Sequence, residues 1–461
     1  MATVATLDGL EELQAQLSGE LITPEDAAYE EARKVYNGMI DKRPALILSC
    51  RDDGDVRAAI AYGREQGLDI AVRGGGHNGA GFGTIDGGLV IDLSPMRWVR
   101  VDPATRTAQV GGGCKLGDID HATHAYGLAM PVGVISTTGV GLLLGGGVGH
   151  LARKYGLSID NVLGADVVLA DGSFVRASAD ENPDLFWAIR GGGGNFGVVT
   201  SLTLQLHEQS TVIAGPIIWS LDDAAELLRF YREWLPAQPD ELTSWFAFVT
   251  VPPGPPFPEE LHLQKVAALI CTYTGDQAGA DEALKPARAV GTPLLDGVQP
   301  LPLPMWNSAF DGVYPPGDQW YWRGDYFAEL PDAAIDVHVD FARRLPTWKS
   351  TMHLYPSDGA AGRVAPDATA WAYRNARWTG VIAGVDPDPA NAEAIKEWTI
   401  EYFEALHPHS MGGSYVNFMM DEGQERVQAT YGPNYERLAQ IKAQYDPENV
   451  FQVNQNIKPA A

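Results

Sequence analysis

The chain has 461 residues, 45% of them hydrophobic and 20% charged, with 33 basic against 59 acidic side chains and a net charge of −26. That length holds two or more domains with ample core, and that charge disfavours non-specific binding to nucleic acid or to an anionic membrane. Cys50, Cys114 and Cys271 are too few and too widely spaced for a disulfide framework or a zinc pattern. No run of about 18 apolar residues is present, and the opening Met1-Ala2-Thr3-Val4-Ala5-Thr6-Leu7-Asp8-Gly9 has neither the basic nor the apolar region of a signal peptide, so a reduced, cytoplasmic protein is expected.

In chain order, residues 10–40 read as polar and helical. Ala45-Leu46-Ile47-Leu48-Ser49-Cys50 is a short strand of buried type. A helix follows, with Asp53 as N-cap, Val56, Ala59, Ile60 and Gly63 on one face and Gly67 past its end. Leu68-Asp69-Ile70-Ala71-Val72 then runs into Arg73-Gly74-Gly75-Gly76-His77-Asn78-Gly79-Ala80-Gly81. Backbone N–H groups in such a glycine loop form a concave nest suited to a diphosphate. The loop lies at the carboxyl end of a strand, where open α/β sheets bind ligands. A phosphate nest has no need of an imidazole. His77 is therefore either a nucleophile or a hydrogen-bonding partner of the loop or the diphosphate.

Strands follow at Gly88–Leu93 and Thr107–Val110, then a helix from Leu116 to Tyr126. Two more glycine clusters come next, Gly139–Gly149 and Arg190–Thr200, with a hairpin between them around Asp171-Gly172. Three glycine loops within about 125 residues suggest backbone wrapped around one extended ligand. Beyond residue 210 aromatic residues become dense, and helices are readable near 222–235, 332–345 and 390–406. A last helix carries Tyr435, Leu438, Ile441 and Tyr445 and stops at Asp446-Pro447.

The ordered set Val72-Arg73-Gly74-Gly75-Gly76-His77, Leu144–Gly149, Lys154-Tyr155-Gly156-Leu157, Asp160-Asn161, Asp184–Gly192 and Asn195–Thr200 resembles the flavin-linked oxidases of the berberine-bridge-enzyme group, within the vanillyl-alcohol-oxidase-like superfamily. Tyr415-Val416-Asn417, Asn434-Tyr435, Asp446–Phe451 and Asn454-Gln455-Asn456-Ile457 continue the match to the end of the chain. The likeness is weakest between residues 215 and 345, and the bacterial hydroxynicotine oxidases are similar in length and pattern.

The resemblance implies an α+β protein with a two-subdomain flavin-binding domain and an α+β substrate domain whose antiparallel sheet roofs the flavin. Residues 1–210 would form the first part of the FAD domain, 211–404 the substrate domain, and 405–461 the return to the FAD domain. The implied cofactor is FAD, bonded through His77 to the flavin 8α-methyl carbon. Candidate cofactor-binding residues are Val72, Arg73, Gly74, Gly75, Gly76, His77, Asn78 and Gly81 in the first loop. Thr138, Gly139, Gly141, Gly145, Gly146 and Gly149 follow in the second, Gly197 and Val198 in the third, and Tyr415, Asn454 and Asn456 near the end.

Relatives with a second covalent link carry a Cys where this chain has Ile135, so His77 should be the only anchor. Thr138 stands where a Val goes with oxidase behaviour in the family, and its shape is close to Val. Tyr415-Val416-Asn417-Phe418 departs from the family's Tyr-x-Asn-Tyr at its last place, where Phe418 cannot take a proton. Tyr415, Asn417, His353 and Tyr373 are the catalytic candidates. Tyr415 and Asn417 are equally readable as members of an ordinary alternating strand. His353 shares a strand face with Thr351 and Tyr355 and is a possible general base; a satisfied structural His is the competing reading. Tyr373 and Arg374 are expected on a similar strand. Trp306, Trp320, Tyr321 and Trp322 are candidates for a pocket or for core packing. His121, His124, His407 and His409 lack carboxylate or Cys company, so no metal site is read. Glu422–Arg426 reads as a solvated helix start.

The expected activity is transfer of hydride from a C–H next to O or N of a small alcohol, amine or secondary metabolite to flavin, with dioxygen reduced to hydrogen peroxide. The partners are then a small-molecule substrate and dioxygen, with the chain a monomer or homodimer. A flavin-dependent dehydrogenase or tailoring enzyme is the first alternative, and a flavin-binding protein without turnover the second.

Overall fold

The computed structural model describes residues 7–461; residues 1–6, part of the opening stretch read above, lie outside the described residues. Three sheets organise the molecule. The first runs Glu20–Ile22, Leu46–Ser49, Leu89–Asp92, Ile70–Arg73, the last three strands being parallel. The helix Asp53–Glu65 makes the crossover, capped by Asp52, whose side chain accepts from the Asp55 N–H. The capping residue is thus one earlier than the sequence suggested. The second sheet is antiparallel, in the order Val99–Asp102, Thr107–Gly111, Val198–Gln205, Val162–Val168, Phe174–Ser178. Its last two strands are the hairpin read at Asp171-Gly172.

The third is an eight-stranded antiparallel sheet built from residues 211–386. The helices Ala224–Trp234, Asp332–Arg343 and Ala392–Leu406 cover one face. Leu227, Leu228, Tyr231 and Trp234 of the first are buried there, each contributing about 1.5–3 kcal/mol through the area it removes from water. Strand alternation sorts the side chains. Phe246 and Phe248 pack on the helices, whereas Trp245 and Ala247 point to the opposite face, toward the first two sheets. The same holds for Met352 and Leu354 against Tyr355.

The chain end returns to the glycine loops. Lys442, on the helix Tyr435–Tyr445, is fully buried and donates to Asn195 O, Asp446 Oδ2 and Phe451 O at 2.6, 2.6 and 3.0 Å. Asn195 in turn donates to Gln455 O and accepts from the Ile457 N–H. A buried ammonium with three oxygen partners is satisfied, and it stitches the third glycine loop to the terminal segment.

Four sequence expectations change. Residues 10–40 contain only the short helices Leu10–Gln16 and Tyr29–Ala32 with a strand between them. Gly19 and Pro24 between the two, and Gly38 after the second, interrupt any longer helix. Val416–Phe418 is a single 3-10 turn, not strand, and residues 372–374 are irregular. Glu422 is not solvated. Its side chain is 2% exposed, between Arg323 at 2.5 Å and Arg426 at 3.4 Å. Arg426 also reaches Asp325 at 2.7 Å, which ties the helix Gln424–Tyr431 to the strand Gln319–Phe327.

Candidate active site

A cavity of about 590 Å³ lies where the three sheets meet, within the range of small-molecule and cofactor sites. The strand Ile70–Arg73 delivers Val72, Arg73, Gly74, Gly75, Gly76, His77 and Asn78 to its wall. Arg73 is fixed there by Asp92 at 3.0 Å. The second glycine region supplies Thr138, Gly139, Gly141 and Gly145. A Cβ at Gly75 would strike the backbone of Gly139, so only glycines let these two loops meet. From the third loop come Gly192, Gly193, Gly194, Asn195 and Gly197, and from the chain end Tyr415, Asn417 and Asn454.

His77 is enclosed. Tyr36 stacks on its ring with centroids 3.8 Å apart. Thr137 Oγ1 is 3.2 Å from Nε2, and Thr138 Oγ1 is 3.4 Å from Nδ1. Burial, assisted by the Lys115 charge, pushes the imidazole pKa down to about 3. The ring is therefore neutral at physiological pH with a nucleophilic lone pair available. Ile135 lines the cavity too. Cys50, Cys114 and Cys271 are buried elsewhere, and none reaches the cavity wall. The Cys114 thiol donates to Trp98 O.

Tyr415 is 1% exposed, and its phenol oxygen accepts from the Gly147 N–H at 2.7 Å and from Asn417 Nδ2 at 2.6 Å. Burial, offset in part by those donors, puts its pKa at about 12. With the oxygen doubly engaged as acceptor, its proton is left to donate, and among the described residues no acceptor takes it. Asn454 Oδ1 is buried at the wall with no partner. A Cβ on Gly145 would collide with the Asn417 side chain. Glycine-rich backbone, a neutral imidazole and unpaired polar atoms at one enclosed wall fit a flavin dinucleotide, which needs close backbone approach and fixed hydrogen bonds.

The eight-stranded sheet forms the facing wall. Thr351, His353 and Tyr355 share its inner side, as the alternation predicted, and Trp245 packs against His353 and Tyr355 at centroid distances of 4.7 and 4.9 Å. Trp306, Trp320 and Trp322 also line the cavity; Tyr321 points to the other side of its strand. The 303–313 segment is locked to the second glycine region, because Asp311 accepts from the Ser136 N–H and hydroxyl.

Six candidates stand outside the lining. Val198 is buried in its sheet, Gly81 packs on Ile40, Gly146 lies behind the Tyr415 ring, and Gly149 faces Val132. Asn456 gives its carbonyl to Gln424. Tyr373 donates to Ala429 O at 2.6 Å and stacks on Tyr326, which makes it a packing residue. Arg374, buried and paired with Asp160 at 2.7 Å, is likewise structural. Sequence reasoning missed Tyr36, Thr137, Trp245 and Tyr355 as site residues. Only Tyr355 carried a signal, its shared face with His353.

A family model described as "FAD binding domain" matches residues 44–178, and one described as "Berberine and berberine like" matches residues 414–458. The chain is 33% identical to (R)-6-hydroxynicotine oxidase of Paenarthrobacter nicotinovorans, over 96% of this chain and 97% of that protein. The crystal structure of 6-hydroxy-D-nicotine oxidase from Arthrobacter nicotinovorans superposes with a TM-score of 0.85 at 30% identity, covering 96% and 98% of the two chains. A more distant structure, glucooligosaccharide oxidase from Acremonium strictum, has a TM-score of 0.85 at 24% identity, covering 97% and 99%, and is described with a 6-S-cysteinyl, 8α-N1-histidyl FAD.

Proposed function

Because this chain belongs to the berberine-bridge-enzyme-like family of FAD-linked oxidoreductases, we propose that it is an oxidase whose FAD is bonded to His77 alone. When bound, FAD supplies the acceptor for a hydride from a C–H next to oxygen or nitrogen and passes the electrons to dioxygen, giving hydrogen peroxide. The observation that carries this reading is the neutral, half-buried His77 held between Tyr36 and two threonine hydroxyls at the meeting point of the glycine loops.

The chain's own groups divide the work. The loops at Gly74–Gly76, Gly139–Gly145 and Gly192–Gly197 present backbone to the dinucleotide, with Arg73 and Asn454 at their edges. Tyr415 and Asn417 form one hydrogen-bonded unit that orients the ring system from the chain end. Ile135 supplies no thiol for a second link. Thr138, beside His77, offers the branched shape on which the oxidase reading rests. The aromatic wall excludes water from the reacting centre.

The purified protein should be yellow, and its colour should precipitate with the protein in acid. Substrate oxidation should release peroxide in step with oxygen uptake. Flavin that stays in the acid supernatant would overturn the covalent link. Turnover with an artificial electron acceptor but without peroxide would replace the oxidase by a dehydrogenase.

A further inference from the structure

The facing wall holds a hydrogen-bond chain whose direction is fixed. The Thr351 hydroxyl donates its only proton to Phe248 O at 2.9 Å. Its oxygen also lies 2.8 Å from His353 Nε2. Having no second proton to give, it accepts there, so Nε2 carries the imidazole hydrogen. Burial keeps His353 singly protonated, with a pKa near 3. Nδ1 then has a lone pair, and the Tyr355 hydroxyl, 2.8 Å away, donates to it. Tyr355 has therefore spent its proton on His353 and turns only lone pairs toward the cavity.

The charge inventory of the cavity adds a second constraint. Among the described residues that line it, Arg73 is the only Asp, Glu, Lys or Arg, and Asp92 neutralises it. No Asp or Glu among the described residues lines the cavity, so a substrate ammonium beside Tyr355 would be desolvated without a carboxylate side chain to pair with. Simple alkyl and benzyl amines are cationic at pH 7, whereas alcohols are not. The surroundings of Tyr355 are aromatic, with Trp245 and Phe418 at ring distances of 4.9 and 5.8 Å. Phe418 has no proton-accepting group of its own.

We propose that the substrate is an uncharged aromatic alcohol whose hydroxyl donates to Tyr355, and that Tyr355 receives its proton with His353 as the positioning residue. The inference rests on the oxidase reading above. As the C–H bond breaks and its hydrogen leaves as hydride with both electrons, for which FAD is the acceptor, the O–H proton passes to Tyr355 Oη. The proton of Tyr355 shifts to His353 Nδ1, which burial makes a weak base and which therefore releases it to water once the carbonyl product has left. His353 Nε2–H stays bonded to Thr351 throughout, so the relay ends on a group oriented in advance.

Two measurements on the holoenzyme test it. The first uses 4-nitrophenol as an unreactive probe whose ionisation is visible in difference spectra. The wild type should bind it as the neutral phenol at pH values where it is ionised in water. Tyr355→Phe, which keeps the uncharged wall but loses the acceptor, should bind the neutral phenol about tenfold more weakly. His353→Leu, which leaves the Tyr355 proton free to donate outward, should raise the bound share of phenolate above that of wild type; unchanged affinity in the first variant together with an unchanged phenolate share in the second overturns the proposal. The second follows anaerobic bleaching of the flavin by benzyl alcohols and benzylamines of equal shape. Alcohols should reduce the enzyme faster at pH 7, and Tyr355→Phe should slow that step by about 10²-fold with loss of its solvent isotope effect. Faster reduction by amines, or a Tyr355→Phe rate within about threefold of wild type, overturns it. In either case peroxide release with another substrate leaves the oxidase reading standing, whereas a protein that holds no flavin removes both.

Discussion

The ring of Tyr36 lies face to face with that of His77, 3.8 Å between centroids and 19° from parallel. Tyr36 is itself held on both sides: its N–H donates to Gly76 O and its hydroxyl to Tyr314 O at 2.6 Å. One aromatic residue from the N-terminal segment thereby ties the first glycine loop to the substrate side of the molecule and covers a face of the imidazole. Stacking and burial keep that imidazole neutral and fixed in direction.

The first prediction follows from that enclosure. His77→Ala should fold and still bind FAD through the loops, but all of the flavin should be released on acid precipitation. The variant opens space beside Tyr36 without stranding a charge, so its melting temperature without cofactor should change little. Flavin still attached to the precipitate would mean that another residue is the anchor.

A second prediction concerns Gly145. A Cβ there would run into the Asn417 side chain, which bonds both Tyr415 and Leu142 O. Gly145→Ala should cost about 1–3 kcal/mol, as overpacking does in a close-packed interior. It should also displace the Tyr415–Asn417 pair and weaken cofactor retention. Gly312→Ala serves as the control, since it stands outside the cavity lining and no described atom lies within 4 Å of the Cβ it would add. Equal flavin content and equal melting temperature in the two variants would refute the packing argument.

The glycine loops were legible in the sequence because they are local: spacing and residue type imply the nest with an imidazole in it, while the nucleophile role of His77 came from the family resemblance. The helices over 224–234, 332–343 and 392–406 were equally plain, each showing one apolar stripe. The cavity wall was hidden. The strand Leu242–Thr250 is buried on both faces except at Val249, so Trp245 and Phe246 look alike although only Trp245 faces the cavity. Tyr36 gave no signal, since its role depends on long-range pairing. The buried Glu422 could not be told from a solvated one, because Arg323, its main partner, lies 99 positions away in the sequence.

The third prediction is for Lys442. Its ammonium is fully buried beside Asp446, also fully buried, at 2.6 Å. Lys442→Met keeps the bulk of the stem but leaves Asp446 without its cation. Removing one member of such a pair costs about 3–5 kcal/mol. The variant should lose a corresponding part of its denaturation free energy, and the Asn195 loop it anchors should become susceptible to protease. Lys442→Met with Asp446→Asn should recover part of the loss, because no unpaired charge remains. A double variant no more stable than the single one would deny that charge is the cause.

The fourth prediction is a steep acid limb. Burial pushes His77, His150, His338 and His353 from the ordinary 6.5 down to about 3. Between those values the unfolded chain binds four protons that the native one does not, so stability falls as pH drops through that window. Asp120 acts in the opposite sense. Burial, opposed by the hydrogen bond from Asn307, raises its pKa to about 7, so the native state keeps a proton that the unfolded state sheds above about 4. From these five groups three net protons at about 1.4 kcal/mol per pH unit each amount to roughly 4 kcal/mol per unit at full effect; His207, lowered by burial, adds to the limb, while His407, raised by its hydrogen bond to Asp325, and Glu422, raised by burial, oppose it. A native stability of about 5–15 kcal/mol is then exhausted within a few units below pH 6. His338 tests the attribution, because it sits among the helices, bonded to Tyr402 at 2.5 Å, away from the cavity. In urea titrations of the cofactor-free protein from pH 7.5 to 4.5, His338→Gln should start lower yet show a shallower acid slope. A slope unchanged from wild type would assign the acid limb to other groups.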